Sequence, residues 1–446
     1  MANTSKLTNW LNRALAMIII IGIVIVMLLA ALKVYGQEIT TLNIQQAYQL
    51  AQNNYPLIKQ VNLISKTAEY SISNAAKGYL PVLSVNGQAT YQSTVTSFPF
   101  SLPIPGFSLP KYSRDQYKIY GEIDQVIYDG GVIKNQKQTA ETNAIIQQQN
   151  LQVELYALYD RVDQLFFGSV LIDEQLKQNS LLKQDIQNGI DKAKALVANG
   201  TAYRSSVDEL SAQLLQAEQS RIELHATKKA YLNMLSLFIN TPLNENSVLE
   251  KPPVPLISDN INRPELLFYE EQKKMDDLQE RLLKVQLRPK LGFFAQEGYG
   301  RPGINQLSND FAWYYIGGLK LSWNLGSLYT LKNQKKLLNI NRATLDIQKE
   351  TFLFNIRISQ KQQLAGIEKY TELFKTDDAI IALRESVKKA ASAQLENGVL
   401  SAHDYITEVN AENEARQSLI LHKIQLLQEQ YSYQNTTGNL QKQMNQ

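Results

Sequence analysis

The side chains capable of chemistry are few. The 446-residue chain has three histidines, His225, His403 and His422, and no cysteine. Lack of thiols excludes a Cys nucleophile, a thiolate metal site and a disulfide scaffold. The histidines show no metal-like spacing with carboxylates, and His225 and His422 read as polar helix-surface positions. Asp276-Asp277 and Asp377-Asp378 read as solvated helix faces. Gly298-Tyr299-Gly300-Arg301-Pro302-Gly303 contains proline and lacks the Lys-Ser/Thr that completes a phosphate loop, so it reads as a turn between strands. The balance of 45 Lys and Arg against 42 Asp and Glu, a formal +3, lacks the strong basic excess of a nucleic-acid binder. The sequence therefore predicts no enzyme, no cofactor, no metal and no nucleic-acid partner.

Backbone punctuation says more. All 13 prolines lie at or before position 302 and none lies between Lys111 and Thr241, leaving two proline-free tracts, 111–241 and 303–446, of 131 and 144 residues. Tracts of that length point to long helices, because an interior proline removes a hydrogen bond and clashes with the preceding turn. At the N-terminus, Lys6 and Arg13 precede Ala14 to Leu32, 19 residues without a charge, followed by Lys33 and Val34-Tyr35-Gly36-Gln37. Residues 1–36 read as a signal peptide cut after Gly36. An uncleaved transmembrane helix is the alternative, since such a run comes close to the ~20 residues that span a bilayer. Without cysteine there is no lipid anchor at the cut.

The chain echoes itself. Asn53-Asn54-Tyr55-Pro56 is matched by Ile261-Asn262-Arg263-Pro264, and Leu80-Pro81-Val82-Leu83 by Arg288-Pro289-Lys290-Leu291, each pair of prolines 208 residues apart. Tyr128-Asp129-Gly130-Gly131 answers to Asn324-Leu325-Gly326-Ser327, and Ala198-Asn199-Gly200 to Glu396-Asn397-Gly398, at offsets of 196 and 198. Two tandem structural repeats are predicted, 37–240 and 264–446, joined by a Pro-rich linker at 241–263.

Each repeat holds two segments of alternating polarity, the period of a strand with two unlike faces. They lie at about 81–92 and 116–128, and at about 289–299 and 312–324. Leu83, Val85, Gly87, Ala89 and Tyr91 alternate with Ser84, Asn86, Gln88 and Thr90, and Tyr117, Ile119, Ile123 and Ile127 with Lys118, Tyr120, Glu122 and Asp124. In the second repeat Leu291, Phe293 and Ala295 oppose Lys290 and Gln296, while Trp313, Tyr315, Leu319, Leu321 and Trp323 oppose Lys320, Ser322 and Asn324. Such strands fit a lipid-facing barrel wall with aromatic girdles. Tyr91, Tyr117, Trp313, Tyr315 and Trp323 would face lipid, and Lys118, Glu122, Asp124 and Lys320 a lumen. A soluble antiparallel sheet with one buried face alternates in the same way. Four strands cannot close a barrel and a bilayer forbids open edges, so membrane-spanning strands here require several chains to share one barrel.

Long helices are predicted at about 131–198 and 328–396, each roughly 100 Å from end to end. Leu151, Leu155, Leu158, Val162, Leu165, Ile172 and Leu176 keep 4-3 spacing, and a second stripe, Tyr156, Tyr159, Phe166 and Val170, runs beside it. Two seams call for two helical neighbours, as in a ring of helices. Asn199-Gly200 and Asn397-Gly398 read as tight turns between antiparallel helices.

Taken in order, these segments resemble the TolC-like outer-membrane efflux proteins. The resemblance covers nearly all of 37–446. It runs from Leu42-Asn43-Ile44-Gln45-Gln46-Ala47 through Gly78-Tyr79-Leu80-Pro81 and Val126-Ile127-Tyr128-Asp129-Gly130-Gly131, and recurs in Arg263-Pro264-Glu265-Leu266 and Leu319-Lys320-Leu321-Ser322-Trp323-Asn324-Leu325. It implies a mainly α fold with membrane β: a homotrimer whose 12-stranded outer-membrane β-barrel, four strands per protomer, continues into a long α-helical barrel, with most of the mass in the periplasm. It implies the exit duct of a tripartite efflux system, conducting substrates passively from an inner-membrane pump and a periplasmic adaptor, in contact with outer-membrane lipid. The outer-membrane component of type I protein secretion is an alternative. A periplasmic coiled-coil adaptor fits less well, since it would carry one helical hairpin and soluble β-domains. In the family, carboxylates just after the second turn constrict the entrance. Asp404 matches the first of these positions, while the second is Thr407, with Glu408 beside it. Tyr203 and Arg204, after the first turn, are the implied candidates for inter-helix hydrogen bonds that keep the entrance shut.

Overall fold

A computed structural model describes residues 41–95, 113–305 and 308–440; the expected signal peptide and its cut lie outside the described residues. The chain divides into two compact units, each gathered from separate stretches of sequence. One takes 59–153 and 264–353, the other 41–58, 154–263 and 354–440.

The first unit is organised by an antiparallel sheet of four strands, β2 (Val82–Tyr91), β3 (Asp115–Tyr128), β5 (Lys290–Arg301) and β6 (Ala312–Ser322), in the order β2-β3-β5-β6. The central β3–β5 pair joins segments far apart in sequence, so the sheet needs both halves of the chain. Its register carries one irregularity, between Val126 and Tyr128. Strands β2 and β6 are the edges, and the sheet is open. Helices α2 (Gln60–Ala76), α3 (Val132–Tyr156) and α6 (Pro264–Gln286) lead into or out of it. The Asp129 carboxylate begins α3 by accepting from the backbone N–H groups of Gly131, at 2.7 Å, and Ile133, donors that the helix itself leaves unpaired. Gly130 and Gly131 take positive φ there, 73° and 96°, which other residues adopt at a cost. Ion pairs strap α6 to α7 (Leu328–Glu396): Lys349 to Glu270 at 2.7 Å, Arg342 to Asp277 at 2.8 Å, and Lys273 to Asp346.

The second unit is helical. Helix α1 (Ile44–Asn54) starts with a reciprocal cap, the Asn43 side chain accepting from the Gln46 N–H at 2.8 Å and the Gln46 side chain from the Asn43 N–H at 3.2 Å. It buries Ile44, Ala47, Tyr48 and Ala51, one face at helical spacing. Helices α4 (Leu158–Ala198), α5 (Arg204–Ile239) and α8 (Ala402–Thr437) pack around it, with the two-residue parallel pair β1 (Thr41–Leu42) and β4 (Val248–Leu249). The long helix expected at 131–198 is divided at Ala157 into α3 and α4, whereas α7 runs unbroken. Both stripes on α4 are buried: Leu158 and Val162 in one, Tyr159, Phe166 and Val170 in the other. At one place the helices touch closely, since a Cβ on Gly189 would lie 2.4 Å from the Tyr405 ring. The proline-rich stretch after α5 is held by the last turns of α8. Tyr431 donates to the Pro253 carbonyl at 3.2 Å, Gln434 to Leu256 at 2.9 Å, and the Asn439 amide to Ser258 and Asn260 at 3.1 and 2.9 Å.

Candidate functional site

Two places hold the residues singled out in the sequence: the faces of the sheet and the turns of the helical unit. In an antiparallel pair, directly opposed residues point to the same side. Leu83 opposes Ile123 and Ile123 opposes Ala295; Gly87 opposes Ile119, which opposes Tyr299, which opposes Trp313. That face is apolar and open to the surroundings, with Val85 80%, Trp313 75% and Tyr315 84% exposed. Tyr91 and Tyr117 are on it too. Trp323 lies one residue beyond β6, exposed, its indole donating to the Leu287 carbonyl at 2.8 Å. At one end of this face Tyr299 stands 5.4 Å from Trp313 and 5.6 Å from Phe311, forming an aromatic cluster.

The opposite face carries Lys118 against Gln88, Glu122 against Ser84 and Gln296, Asp124 against Val82, and Lys320 against Gly292. All four residues expected to face a lumen therefore share one side. Glu122 accepts from Gln296 at 3.1 Å and from Asn86 at 3.4 Å. Glu297 breaks the pattern by sitting on the apolar face, opposed by Gly121 and Tyr315. Its parity with Phe293 and Ala295 announced this in the sequence. The Asp115–Arg301 ion pair also belongs to that face, at the aromatic end.

Both helical turns are built alike. The Thr201 N–H reaches the Leu196 carbonyl at 2.9 Å and the Gly200 N–H that of Val197 at 3.0 Å; Val399 to Gln394 and Gly398 to Leu395 repeat this at 2.9 and 3.0 Å. This double bond closes a helix with a left-handed residue, and Gly200 and Gly398 have φ of 73° and 68°. Asn199 and Asn397 are the residues just before them. In each case the next helix begins four residues after the glycine.

The residues after the turns differ. Ser401 caps α8, accepting from the Asp404 N–H at 3.1 Å and donating to the Asp404 carboxylate at 2.6 Å. Asp404 thus belongs to the first turn of its helix, where a negative charge is stabilised by the helix dipole, and its side chain remains exposed. Thr407 bonds back to the His403 carbonyl at 2.9 Å, and Glu408 pairs with Arg384 at 3.4 Å. His403 meets Glu209 at 2.7 Å, and the Glu209 carboxylate raises its pKa. Tyr203 caps α5 without a side-chain bond and is 84% exposed, and Arg204 opens the helix beside it. Among the described residues neither side chain meets a hydrogen-bonding partner.

A buried polar cluster in the helical unit gave no signal in the sequence. Asp163, in α4, accepts from the Tyr48 hydroxyl of α1 and the Asn435 amide of α8, while Asn435 also donates to Asp160 at 3.0 Å. Burial pushes the Asp163 carboxyl up to about 8, and burial likewise raises Tyr48 and Asp160.

Residues 47–241 match the family described as outer membrane efflux protein. Over that stretch, somewhat less than half of its length, the chain is similar to the outer membrane efflux proteins. Solved channels of related fold agree in architecture over most of their length. The outer membrane protein VceC of Vibrio cholerae shares 12% identity at a TM-score of 0.63, over 89% of this chain and 96% of that one. The MtrE outer membrane channel of Neisseria gonorrhoeae, in its open state, shares 13% at 0.61, over 89% of each chain. The CmeC outer membrane channel of Campylobacter jejuni shares 13% at 0.60, over 89% and 85%. No curated protein matches in sequence. No helix among the described residues is long and apolar enough to cross a bilayer.

Proposed function

We propose that this protein is the exit duct of a tripartite efflux system, a homotrimer whose sheets join into one 12-stranded barrel and whose helical units form a periplasmic tunnel. The observation that carries this reading is the sheet: four strands, two unpaired edges and one exposed apolar face. An open edge leaves backbone N–H and C=O groups unsatisfied, and hydrocarbon offers them no partner. Alternating strand directions let β6 of one protomer pair antiparallel with β2 of the next, so three copies close without an edge. The apolar face then meets outer-membrane lipid, and Lys118, Glu122, Asp124 and Lys320 line the lumen. Most of the mass lies in the periplasm, where the two turns form the entrance. Asp404 gives that entrance a ring of three carboxylates, which attracts cations. Tyr203 and Arg204, unpartnered among the described residues, reach a neighbouring helix in the closed trimer. The duct is passive; an inner-membrane pump and a periplasmic adaptor supply energy and substrate.

The test is assembly and conduction together. Native mass spectrometry should give a trimer, and disulfide scanning between β2 and β6, in a chain with no cysteine of its own, should link protomers. In planar bilayers the trimers should conduct, with Asp404→Asn lowering cation selectivity and Arg204→Ser raising conductance. A monomer in mild detergent, or selectivity indifferent to Asp404→Asn with only a loss of thermal stability, overturns the barrel or the gate respectively.

A further inference from the structure

At the end of the sheet where β3 runs into α3, a cleft of about 360 Å³ opens on the polar face, lined among others by Asp124, Asp129, Lys290, Gly292, Lys320 and Ser322. Two carboxylates and two lysines line it, and no ion pair joins them among the described residues. Asp129 is occupied by two backbone N–H groups at the start of α3. Asp124 lies on β3, two strands from Lys320, and the residue opposite it on β5 is Phe294. The Phe294 ring lies towards β6, 3.2 Å from where a Cβ on Gly318 would be. It therefore covers the sheet between Asp124 and the lysine side.

Lys290 opposes Ser322, and Lys320 opposes Gly292, so the two lysines are diagonal neighbours on adjacent strands, about 7 to 8 Å apart at the Cβ atoms. Neither forms an ion pair among the described residues, whereas Arg301 at the other end of the sheet pairs with Asp115. Two ammonium groups on diagonal positions repel each other, and a negative group between them would relieve that repulsion. Gly292 contributes no side chain to the space in front of Lys320. A second cleft of about 420 Å³ shares Lys290 and Ser322 and adds Arg288. The Arg288 guanidinium spends one nitrogen on the Gly130 carbonyl at 3.1 Å and keeps others free, since it carries five N–H donors.

We infer that this cleft is a way-station for oxyanions, holding the carboxylate or phosphate group of a conducted solute between Lys290 and Lys320, with Ser322 and Arg288 as further donors. The inference rests on the channel reading, with the polar face towards the lumen. Copied threefold, it places six lysines where the sheet ends, and rings of basic side chains select anions. The conduit then has two unlike stages, an acidic entrance and a basic shoulder, and favours solutes bearing an anionic group over purely cationic ones.

The experiment uses inorganic phosphate as the probe on purified full-length protein in planar bilayers. Millimolar phosphate should reduce wild-type conductance. The Lys290→Gln/Lys320→Gln double variant should need about tenfold more phosphate for the same block, and its reversal potential in a KCl gradient should shift towards cations. Lys118→Gln, on the same face but at the far end of β3, should leave the phosphate block in place. Unchanged block in the double variant, or an equal loss in Lys118→Gln, overturns the cleft while leaving the channel intact. A wild-type protein that does not conduct overturns the channel reading instead. Phosphorus NMR line broadening in detergent then decides the cleft: phosphate binding lost in the double variant supports it, and no binding to the wild type overturns it.

Discussion

Val162 and Val85 are the same residue with opposite surroundings. In α4 Val162 is fully buried, together with Phe166 and Phe167; in β2 Val85 is 80% exposed, on a face with Leu83 at 73% and Tyr315 at 84%. The helical unit covers its apolar stripe with its own helices, whereas nothing among the described residues covers the apolar face of the sheet. An exposed apolar surface of this extent marks an interaction site. Folding of the helical unit is thus driven from within, by burial at about 25 cal/mol per Å² of apolar surface. On the proposed channel reading, stability of the sheet is supplied from outside, by lipid on one face and by neighbouring strands at its edges.

The comparison can be broken most sharply at its two apolar sites. Phe166→Ala should destabilise the helical unit by about 3 to 5 kcal/mol, because the cavity has no route to collapse, while Phe293→Ala on the exposed face should cost far less; thermal melts in detergent would show whether the gap exists. Next in size, Ile123→Arg should hinder membrane insertion by about 2 to 4 kcal/mol if the residue sits near the midplane, and Glu122→Arg, its neighbour on the other face, should not. Equal insertion yields for these two would refute the assignment of faces.

A third prediction concerns pH within the helical unit. The folded state holds Asp163 protonated to about pH 8, whereas an unfolded aspartate releases its proton near 3.9. Between those values the folded chain binds the extra proton, so stability is full at acid pH and declines as pH rises from about 4 towards 8. Asp163→Asn should flatten that decline in melting temperature measured at pH 5 and pH 8. Should the slope persist, the sensitivity belongs to another group. Smallest is the cap: Ser401→Ala should lower stability by about 0.5 to 2 kcal/mol, while Tyr203→Ala, at the corresponding place after the first turn, should leave melting unchanged because its side chain caps nothing.

What the sequence revealed follows the range of the interactions involved. Strand faces were legible because alternation needs only neighbours, and the positions of Lys118, Glu122, Asp124 and Lys320 on one side follow from it. The two turns were legible because Asn-Gly chemistry is local. The Asp163 cluster was not, since its partners Tyr48 and Asn435 lie 115 and 272 residues away and a lone acid beside a seam residue looks like solvated surface. Nor was the division at Ala157, where no glycine or proline marks the interruption. The β3–β5 pairing, which decides that Glu297 shares a face with Gly121, spans the linker and could not be read from either segment alone.

The hold of the last turns of α8 on the proline-rich stretch sets an order of events during biogenesis. Tyr431 and Leu440 belong to the same core as Leu42 and Ile44, so the first and last parts of the described chain must meet before that core exists. Contacts of such long sequence separation form slowly, because the loop between them must close first. A nascent chain emerging from its N-terminus cannot complete this unit until Leu440 has been made. The helical unit is thereby kept open until that residue is made, and on the proposed outer-membrane reading an open chain is what a translocation pore accepts.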